Sequence, residues 1–314
     1  MMLSILLLIL GFVLLIKGAE FLVDGSSSLA AKFSIPPIAI GLTIVAFGTS
    51  APELIVNLIA GFKGHHDIAI GNILGSNIFN TLLVLGIAGL IYPIKVKKNT
   101  VLKEIPIMLF ATIGVFLLAM NFRFSSGVLS TIDGIILLVG LVAFLFYVTK
   151  ISGSGDLEVD IRIFNNFKTI VFIIVGIIGL FVGGRLVVIY AVKFASILNL
   201  SDKFIALTVV ALGTSLPELV TSVIAVKKKH SDLAIGNVVG SNILNLLLVL
   251  GTTSLIKPIT YNPALNPDFY FLIFITLILF ISMYTFKKHK LDRIEAGFFV
   301  ILYIAYTVFL LYRK

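Results

Sequence analysis

The sequence predicts an all-α polytopic membrane protein with ten transmembrane helices in two inverted five-helix repeats. Of its 314 residues, 59% are hydrophobic and only 12% are charged, and the mean hydropathy is +1.14. A soluble globular domain does not have this composition. The apolar residues fall into runs of roughly 20, the length that crosses a bilayer as a helix. The two halves of the chain also repeat one pattern of polar residues at a constant spacing of 165 positions.

The ten apolar runs define the predicted spans and the domain organisation. They lie near residues 3–31, 37–60, 68–92, 101–120, 126–149, 168–198, 204–226, 233–256, 269–286 and 294–312. Residues 1–149 would form the first repeat, 150–167 a linker and 168–314 the second repeat. The first run has no basic residue ahead of it and no small-residue cleavage pattern after it, so we expect a retained helix rather than a signal peptide.

The positive charges predict the orientation of these spans. One alternate set of loops holds most of the lysines and arginines, whereas the other holds only Lys63, Arg123, Lys203, Lys257, Arg313 and Lys314. Such a bias in short loops places the richer set in the cytoplasm, so both termini are expected outside a multi-pass plasma (cell) membrane protein. The net charge of +9 then reflects topology rather than a nucleic-acid partner. The absence of cysteine excludes disulfides and thiolate metal sites.

An odd number of spans in each repeat has a structural consequence. The second copy must enter the membrane in the opposite direction from the first, which makes the repeats inverted. Secondary transporters often follow this plan and bind their substrate near the midplane, where the repeats meet. The linker at 150–167 is predicted to be cytoplasmic. Its acids Asp156, Glu158 and Asp160 lack the spacing of a known calcium-binding loop, so a solvated linker is favoured over a regulatory calcium site.

The repeated pattern consists of two motifs. Gly-Thr-Ser-Ala-Pro-Glu at 48–53 recurs as Gly-Thr-Ser-Leu-Pro-Glu at 213–218, and the Gly-Asn to Gly-Ser-Asn-Ile-x-Asn pattern at 71–80 recurs at 236–245. Proline removes a backbone hydrogen bond, so the helix is predicted to kink or open between residues 46 and 52. The freed carbonyl oxygens, together with hydroxyl and carboxylate oxygens, suit hard cations such as Na⁺ and Ca²⁺.

The glutamates separate a cation site from ordinary helix packing. Taken singly, a Gly-x-x-x-Gly pattern or a serine in a membrane helix more often has a structural role. Glu53 and Glu218, however, lie at matching positions in apolar sequence without a nearby basic residue, where a carboxylate is costly and usually functional. Two carboxylates neutralise one Ca²⁺ or two Na⁺, which favours exchange over an anion carrier. A cation channel remains a competing class, whereas no nucleophile–base motif supports an enzyme.

The two motifs, their order and their duplication resemble the alpha repeats of the calcium/cation antiporter superfamily, most closely its sodium/calcium exchanger branch. The resemblance implies electrogenic antiport that expels Ca²⁺ with the Na⁺ gradient by alternating access. It implies Ca²⁺ and Na⁺ as transported ions, no cofactor, and a functional monomer in membrane lipid. It also implies that Glu53 and Glu218 are central Ca²⁺ ligands shared with Na⁺. The further ligands implied by matching position are Thr49, Ser50, Ser76, Thr214, Ser215, Ser241, Asn80, Asn245 and the main-chain oxygens of Ala46 and Ala211.

Two sequence features bear on which ion is coupled to Ca²⁺ transport. At Asn245 the chain resembles the potassium-independent animal exchangers, whereas the archaeal exchanger type and the potassium-dependent exchangers carry aspartate there; this argues against potassium coupling. The proton/calcium branch typically carries a carboxylate after Gly-Asn in the second motif, but Gly71-Asn72 and Gly236-Asn237 are followed by uncharged residues. Na⁺/Ca²⁺ antiport is therefore the leading prediction, and proton/calcium antiport is the alternative.

Polar residues outside the motifs give two weaker predictions. Glu20 and Arg185 occupy equivalent positions on the first and sixth spans, so we hypothesise a salt bridge between them. The alternative partner for Glu20 is Lys17 on its own helix. Asp67 and Asp232 precede the third and eighth spans and are predicted to be helix N-caps.

Overall fold

The computed structural model describes residues 2–121, 127–151, 162–197, 211–285 and 288–313. Within these ranges the chain is a helical bundle with four two-residue strands. The helices are α1 (Met2–Lys32), α2 (Pro37–Thr49), α3 (Ala51–Lys63), α4 (His66–Ile91), α5 (Thr100–Ala119), α6 (Thr131–Ile151), α7 (Asn166–Ile197), α8 (Ala211–Thr214), α9 (Leu216–Lys227), α10 (Ser231–Ile256), α11 (Asn266–Ser282) and α12 (Arg293–Tyr312).

The described residues supply most of the predicted spans. Eight of their helices are long and apolar enough to cross a membrane, and the bent pair α2–α3 makes a ninth. The start of the predicted span 204–226 lies outside the described residues, and α8 and α9 form its remainder. Most of the predicted linker, with its three acids, also lies outside them. The chain is thus a multi-pass helical membrane protein.

Two helix breaks follow the proline prediction. Ser50 leaves helical geometry at φ −86° and ψ 4°, and α2 and α3 meet there at a 48° bend. Ser215 leaves it at φ −93° and ψ 6° between α8 and α9. In each copy the proline lies in the first turn of the following helix, where its missing N–H is tolerated. The predicted opening between residues 46 and 52 is confirmed, and the second copy repeats it.

Helices α1 and α7 pack against each other in antiparallel directions. A side chain added at Gly11 would meet Val187, one at Gly18 would meet Leu180, and one at Gly25 would meet Ile173. As the residue number rises along α1, the number of the facing residue on α7 therefore falls. Glycine is required here because a Cβ at Gly18 would lie 2.7 Å from the backbone nitrogen of Leu180. The two backbones lie almost in contact.

This antiparallel packing corrects the Glu20–Arg185 hypothesis. Positions on α1 meet positions on α7 in reverse order, so Glu20 lies opposite the stretch between Gly176 and Leu180. Equivalent positions of two antiparallel helices meet only near the point where the helices cross. Glu20 instead accepts a hydrogen bond of 2.7 Å from Lys17 on its own helix. Arg185 lines a cavity on the other side of α7 from the α1 glycines.

The N-cap prediction is also wrong by two residues. His65 and His230 occupy the N-cap positions of α4 and α10, and neither side chain caps its helix. Asp67 and Asp232 fall in the first turn instead, where a carboxylate is favoured by the helix dipole.

The strands join the two halves of the chain. Strand β1 (Ile94–Lys95) pairs antiparallel with β4 (Lys290–Leu291), and β2 (Val128–Leu129) pairs antiparallel with β3 (Ile259–Thr260). Each pair therefore links one strand of the first half with one of the second.

Helices α4 and α10 form the centre of the bundle. In their most apolar stretches, 78% of residues in α4 and 94% in α10 are buried, against 39% or less in the other six long spans. Both helices contain one wide, π-helical turn, at Asn80–Val84 and Asn245–Val249. These turns begin at the two asparagines that the sequence placed in the site.

Candidate ion-binding site

The two glutamates of the repeated motif lie in the first turns of α3 and α9, directly after the helix breaks. Both are fully buried. Ser215 Oγ donates a 3.1 Å hydrogen bond to Glu53 Oε1, and Ser50 Oγ donates one of 3.1 Å to Glu218 Oε1. Each carboxylate is thus held by the serine of the other copy. Ser76 Oγ adds a second donor to Glu53 Oε1 at 3.3 Å.

Several buried oxygens of this cluster have no hydrogen-bond donor among the described residues. They are Glu53 Oε2, Glu218 Oε2, Asn80 Oδ1, Asn245 Oδ1 and Thr214 Oγ1. Leaving a buried polar atom unsatisfied costs about 1–3 kcal/mol, more for a charged group. Four of these oxygens come in symmetry-related pairs. Carboxylate and amide oxygens without donors are the arrangement that a hard cation would satisfy.

A pair of asparagines that the sequence reasoning did not select organises the centre of the site. Asn77 Nδ2 donates to the main-chain oxygen of Asn242 at 3.2 Å, and Asn242 Nδ2 donates to that of Asn77 at 3.4 Å. The two residues are 165 positions apart and therefore equivalent in the two copies. A reciprocal bond between equivalent residues marks a local pseudo-two-fold axis between α4 and α10.

The same asparagines orient the predicted ligands. Asn80 Nδ2 donates to Asn242 Oδ1 at 3.2 Å, and Asn245 Nδ2 donates to Asn77 Oδ1 at 3.0 Å. Because these bonds engage the NH₂ groups, the side-chain oxygens of Asn80 and Asn245 are left without donors. The repeated Gly-Ser-Asn-Ile motif contained both supporting residues, and their repetition was the available signal.

The first-copy threonine, Thr49, contacts oxygens of α10 and of its own helix. Thr49 Oγ1 donates to Asn237 Oδ1 at 3.0 Å and lies 3.3 Å from Ser241 Oγ and 3.2 Å from the main-chain oxygen of Ala46. A hydroxyl has one proton, so it can donate to only one of these oxygens at a time. Asn237 in turn donates to Ser222 Oγ at 3.0 Å.

The second-copy threonine has a different environment. Thr214 is partly exposed and Thr49 is fully buried. Thr214 lines a cavity of about 310 Å³ between α3, α7 and the start of α9, which is bordered also by Pro52, Arg185 and Pro217. Ala211, the start of α8, has no described contact to the cluster. The cavity therefore reaches the second-copy threonine, whereas Glu53, Glu218, Ser50 and Ser215 stay buried.

Most of the predicted residues come together in this way. Glu218 pairs with Ser50, whereas Glu53, Ser76 and Ser215 form a hydrogen-bonded cluster in which Ser215 Oγ also lies 2.9 Å from Ser76 Oγ. Asn245 joins it by donating to Ser76 Oγ at 3.1 Å. No group of three or more histidine, cysteine, aspartate or glutamate side chains suited to a metal occurs in the described part of the chain. Any cation would therefore be held by two carboxylates and uncharged oxygens.

The chain matches a known family over nearly its whole length. The sodium/calcium exchanger protein family model matches residues 3–150 and 168–312. The putative antiporter CaxA of Alkalimonas amylolytica is 36% identical, with 99% of both chains covered. The sodium/calcium exchanger MaX1 of Methanosarcina acetivorans is 30% identical, covering 98% of this chain and 99% of its own.

A solved structure gives the same result for the fold. The sodium–calcium exchanger NCX_Mj, soaked with 2.5 mM Na⁺ and 0.1 mM Ca²⁺, superimposes with a TM-score of 0.85 at 33% identity, covering 98% of each chain. The matched residues include both copies of the repeated motif and the helices that carry them. The chain therefore belongs to the sodium/calcium exchanger family, as a membrane antiporter of cations.

Proposed function

We propose that this protein exchanges Na⁺ for Ca²⁺ across the membrane, electrogenically and without potassium. The observation that carries the proposal is the pair of buried carboxylates, Glu53 and Glu218, each with one oxygen that lacks a donor. None of their described hydrogen-bond partners is basic. Two uncompensated carboxylates in a membrane interior are unfavourable unless cations neutralise them. The name of MaX1 supports Na⁺ and Ca²⁺ as those cations.

The proposed ligands are the residues of the repeated motifs. Glu53 and Glu218 would bind Ca²⁺ directly, and Asn80 and Asn245 would complete its ring with their side-chain oxygens. Ca²⁺ takes 6–8 oxygen ligands, so uncharged oxygens must supplement the carboxylates. These are proposed to come, mostly for Na⁺, from Thr49, Ser50, Ser76, Thr214, Ser215, Ser241 and the main-chain oxygens of Ala46 and Ala211.

Charge counting shows what the electrogenic part of the proposal requires. Two carboxylates balance one Ca²⁺ or two Na⁺. Electrogenic antiport therefore needs a third Na⁺ for each Ca²⁺. Because two Na⁺ already neutralise the carboxylates, uncharged oxygens would have to hold this third ion. Each net charge that crosses gains about 2.3 kcal/mol per 100 mV of membrane potential. With an inward Na⁺ gradient, this exchange would expel Ca²⁺.

The proposed architecture is ten spans in two inverted repeats, 1–149 and 168–314, joined by a cytoplasmic linker. The antiparallel packing of α1 and α7 supports this arrangement, because these helices begin the two repeats. The reciprocal Asn77–Asn242 bonds support it at the centre of the bundle. We further propose a functional monomer in the plasma membrane with both termini outside, as the loop charges indicate.

Transport would proceed by alternating access to one site. The long helices α1 and α7 pack on each other through glycines, and α7 borders the cavity that leads to Thr214. We propose that the two helices slide together across the core and expose the oxygens to one side at a time.

The test is ⁴⁵Ca²⁺ uptake into proteoliposomes that are loaded with Na⁺ and diluted into Na⁺-free buffer. Uptake should require internal Na⁺, persist with a proton ionophore, ignore K⁺ and carry current on a supported membrane. Glu53→Gln and Glu218→Gln should each abolish it. Glu104→Gln is the matched control, because Glu104 is equally buried but binds Tyr147 away from the site.

Two results would overturn the proposal in different ways. Uptake that ignores Na⁺ but follows a pH gradient would assign the protein to proton/calcium antiport. Uptake that survives both glutamate substitutions would place the ions elsewhere.

A further inference from the structure

Residues that line the cavity beside Thr214 have counterparts in the other repeat. Its lining includes Val56, Val188 and Thr214. The 165-residue repeat relates them to Thr221, Val23 and Thr49. The first three residues are partly exposed, and their counterparts are all fully buried. The structure therefore has an open cavity beside Thr214 and a closed, symmetry-related region beside Thr49.

The closed region lies at the end of the bundle that the loop charges predict to be cytoplasmic. It follows α9 from Glu218 past Thr221 toward the lysines at 227–229. The hydroxyl oxygen of Thr221 is buried without a partner among the described residues. The same is true of Ser26 and Ser27 on the corresponding part of α1. Such polar atoms are satisfied once water or a cation reaches them.

An ion pair joins the two sides of this closed region. Lys228 Nζ lies 2.5 Å from Asp24 Oδ1. Asp24 belongs to α1 and Lys228 caps the C-terminus of α9, so the pair ties a sliding helix to the core. The repeat relates these residues to Ile189 and Lys63, which cannot form an ion pair. The contact therefore exists on only one side of the protein.

We propose that Asp24 and Lys228 are positioning residues that hold the cytoplasmic path to the ion site closed in this conformation. Breaking their ion pair would free α1 to leave α9 and shift the protein toward the opposite, inward-facing state. The inference rests on the proposed alternating access. Both side chains are about one-third exposed. A pair of this kind stabilises a state only modestly, so its loss should shift the population about two- to five-fold.

The test uses cysteine accessibility in the full-length protein, which contains no natural cysteine. Val23→Cys reports on the closed region and Val188→Cys on its open counterpart. Membrane vesicles of defined orientation are labelled with a membrane-impermeant maleimide. Asp24→Asn and Lys228→Gln should each raise the labelling rate of Val23→Cys about two- to five-fold and lower that of Val188→Cys.

Two further variants separate the ion pair from general damage. Glu20→Gln removes a carboxylate one turn earlier on α1, whose partner Lys17 lies on the same helix, so labelling should not change. The exchanged pair Asp24→Lys with Lys228→Asp should restore the original rates. Unchanged labelling in Asp24→Asn, or equal increases at both reporter sites, would refute the proposal. Labelling does not require transport, so a failure of Na⁺/Ca²⁺ exchange would be seen separately in the ⁴⁵Ca²⁺ assay.

Discussion

The Asn242→Ala variant tests whether the central asparagines act by orienting the ion ligands. Asn242 Oδ1 accepts the 3.2 Å bond from Asn80 Nδ2, and both residues are fully buried. Removing the acceptor leaves the Asn80 amide unsatisfied, at a cost of about 1–3 kcal/mol. If this free energy is lost from the orientation of Asn80 Oδ1 toward the site, Ca²⁺ binding should weaken about 5- to 150-fold.

The assay is ⁴⁵Ca²⁺ uptake as a function of Ca²⁺ concentration, which separates KM from the maximal rate. Asn242→Ala should raise KM, and Asn77→Ala should do the same through Asn245. Thr112→Val is the control, because Thr112 is buried and, among the described residues, its hydroxyl bonds only to the main-chain oxygen of Met108. If folded Asn242→Ala protein kept the original KM, the orienting role would be refuted.

Three smaller predictions concern the packing and the charges. Gly18→Ala should lower the melting temperature and slow transport, because its Cβ would meet the backbone of α7, whereas Gly71→Ala should leave both unchanged since nothing lies within 4 Å of its Cβ. Asp268→Asn should cost about 1–3 kcal/mol of stability in thermal unfolding, because Asp268 accepts bonds from Tyr306 and twice from Arg313, and the KM for Ca²⁺ should stay unchanged. Ser215→Ala should weaken Ca²⁺ binding more than Ser254→Ala, because Ser215 Oγ donates to Glu53, whereas the described hydrogen bonds of Ser254 Oγ go to main-chain oxygens of its own helix.

The sequence was sufficient to predict the motif residues because each polar group stands out against apolar neighbours. Glu53 and Glu218 could be selected from their cost in apolar sequence together with their matching positions in the two copies, and the break at Ser50 followed from a proline. The supporting role of Asn77 and Asn242 could not be predicted in this way. Their bonds run between the copies, across 165 positions of chain, and a pattern read within one copy does not contain them.

The Glu20–Arg185 hypothesis failed for a related reason. Equal positions in a sequence repeat suggest spatial neighbours. A two-fold axis, however, brings equivalent residues together only where the axis passes between them. On α1 and α7 that point lies near the equivalent residues Lys17 and Val182, whereas Asn77 and Asn242 meet within the site. The direction of the helices decides which equivalent residues meet, and the inverted repeats predicted from the sequence already implied that α1 and α7 are antiparallel.

The two copies of the motif have the same sequence pattern but different surroundings in the structure. Thr49 and Thr214 occupy the same position in the motif, yet one hydroxyl is bonded to Asn237 and the other has no described partner. Two copies of one motif can thus hold two states at once, one closed and one open. The ion pair of Asp24 with Lys228 has no counterpart at Ile189 and Lys63, and in our proposal it favours one of the two states over the other. We therefore attribute the proposed ion binding to the repeated residues, and the proposed preference for one side to residues that are not repeated.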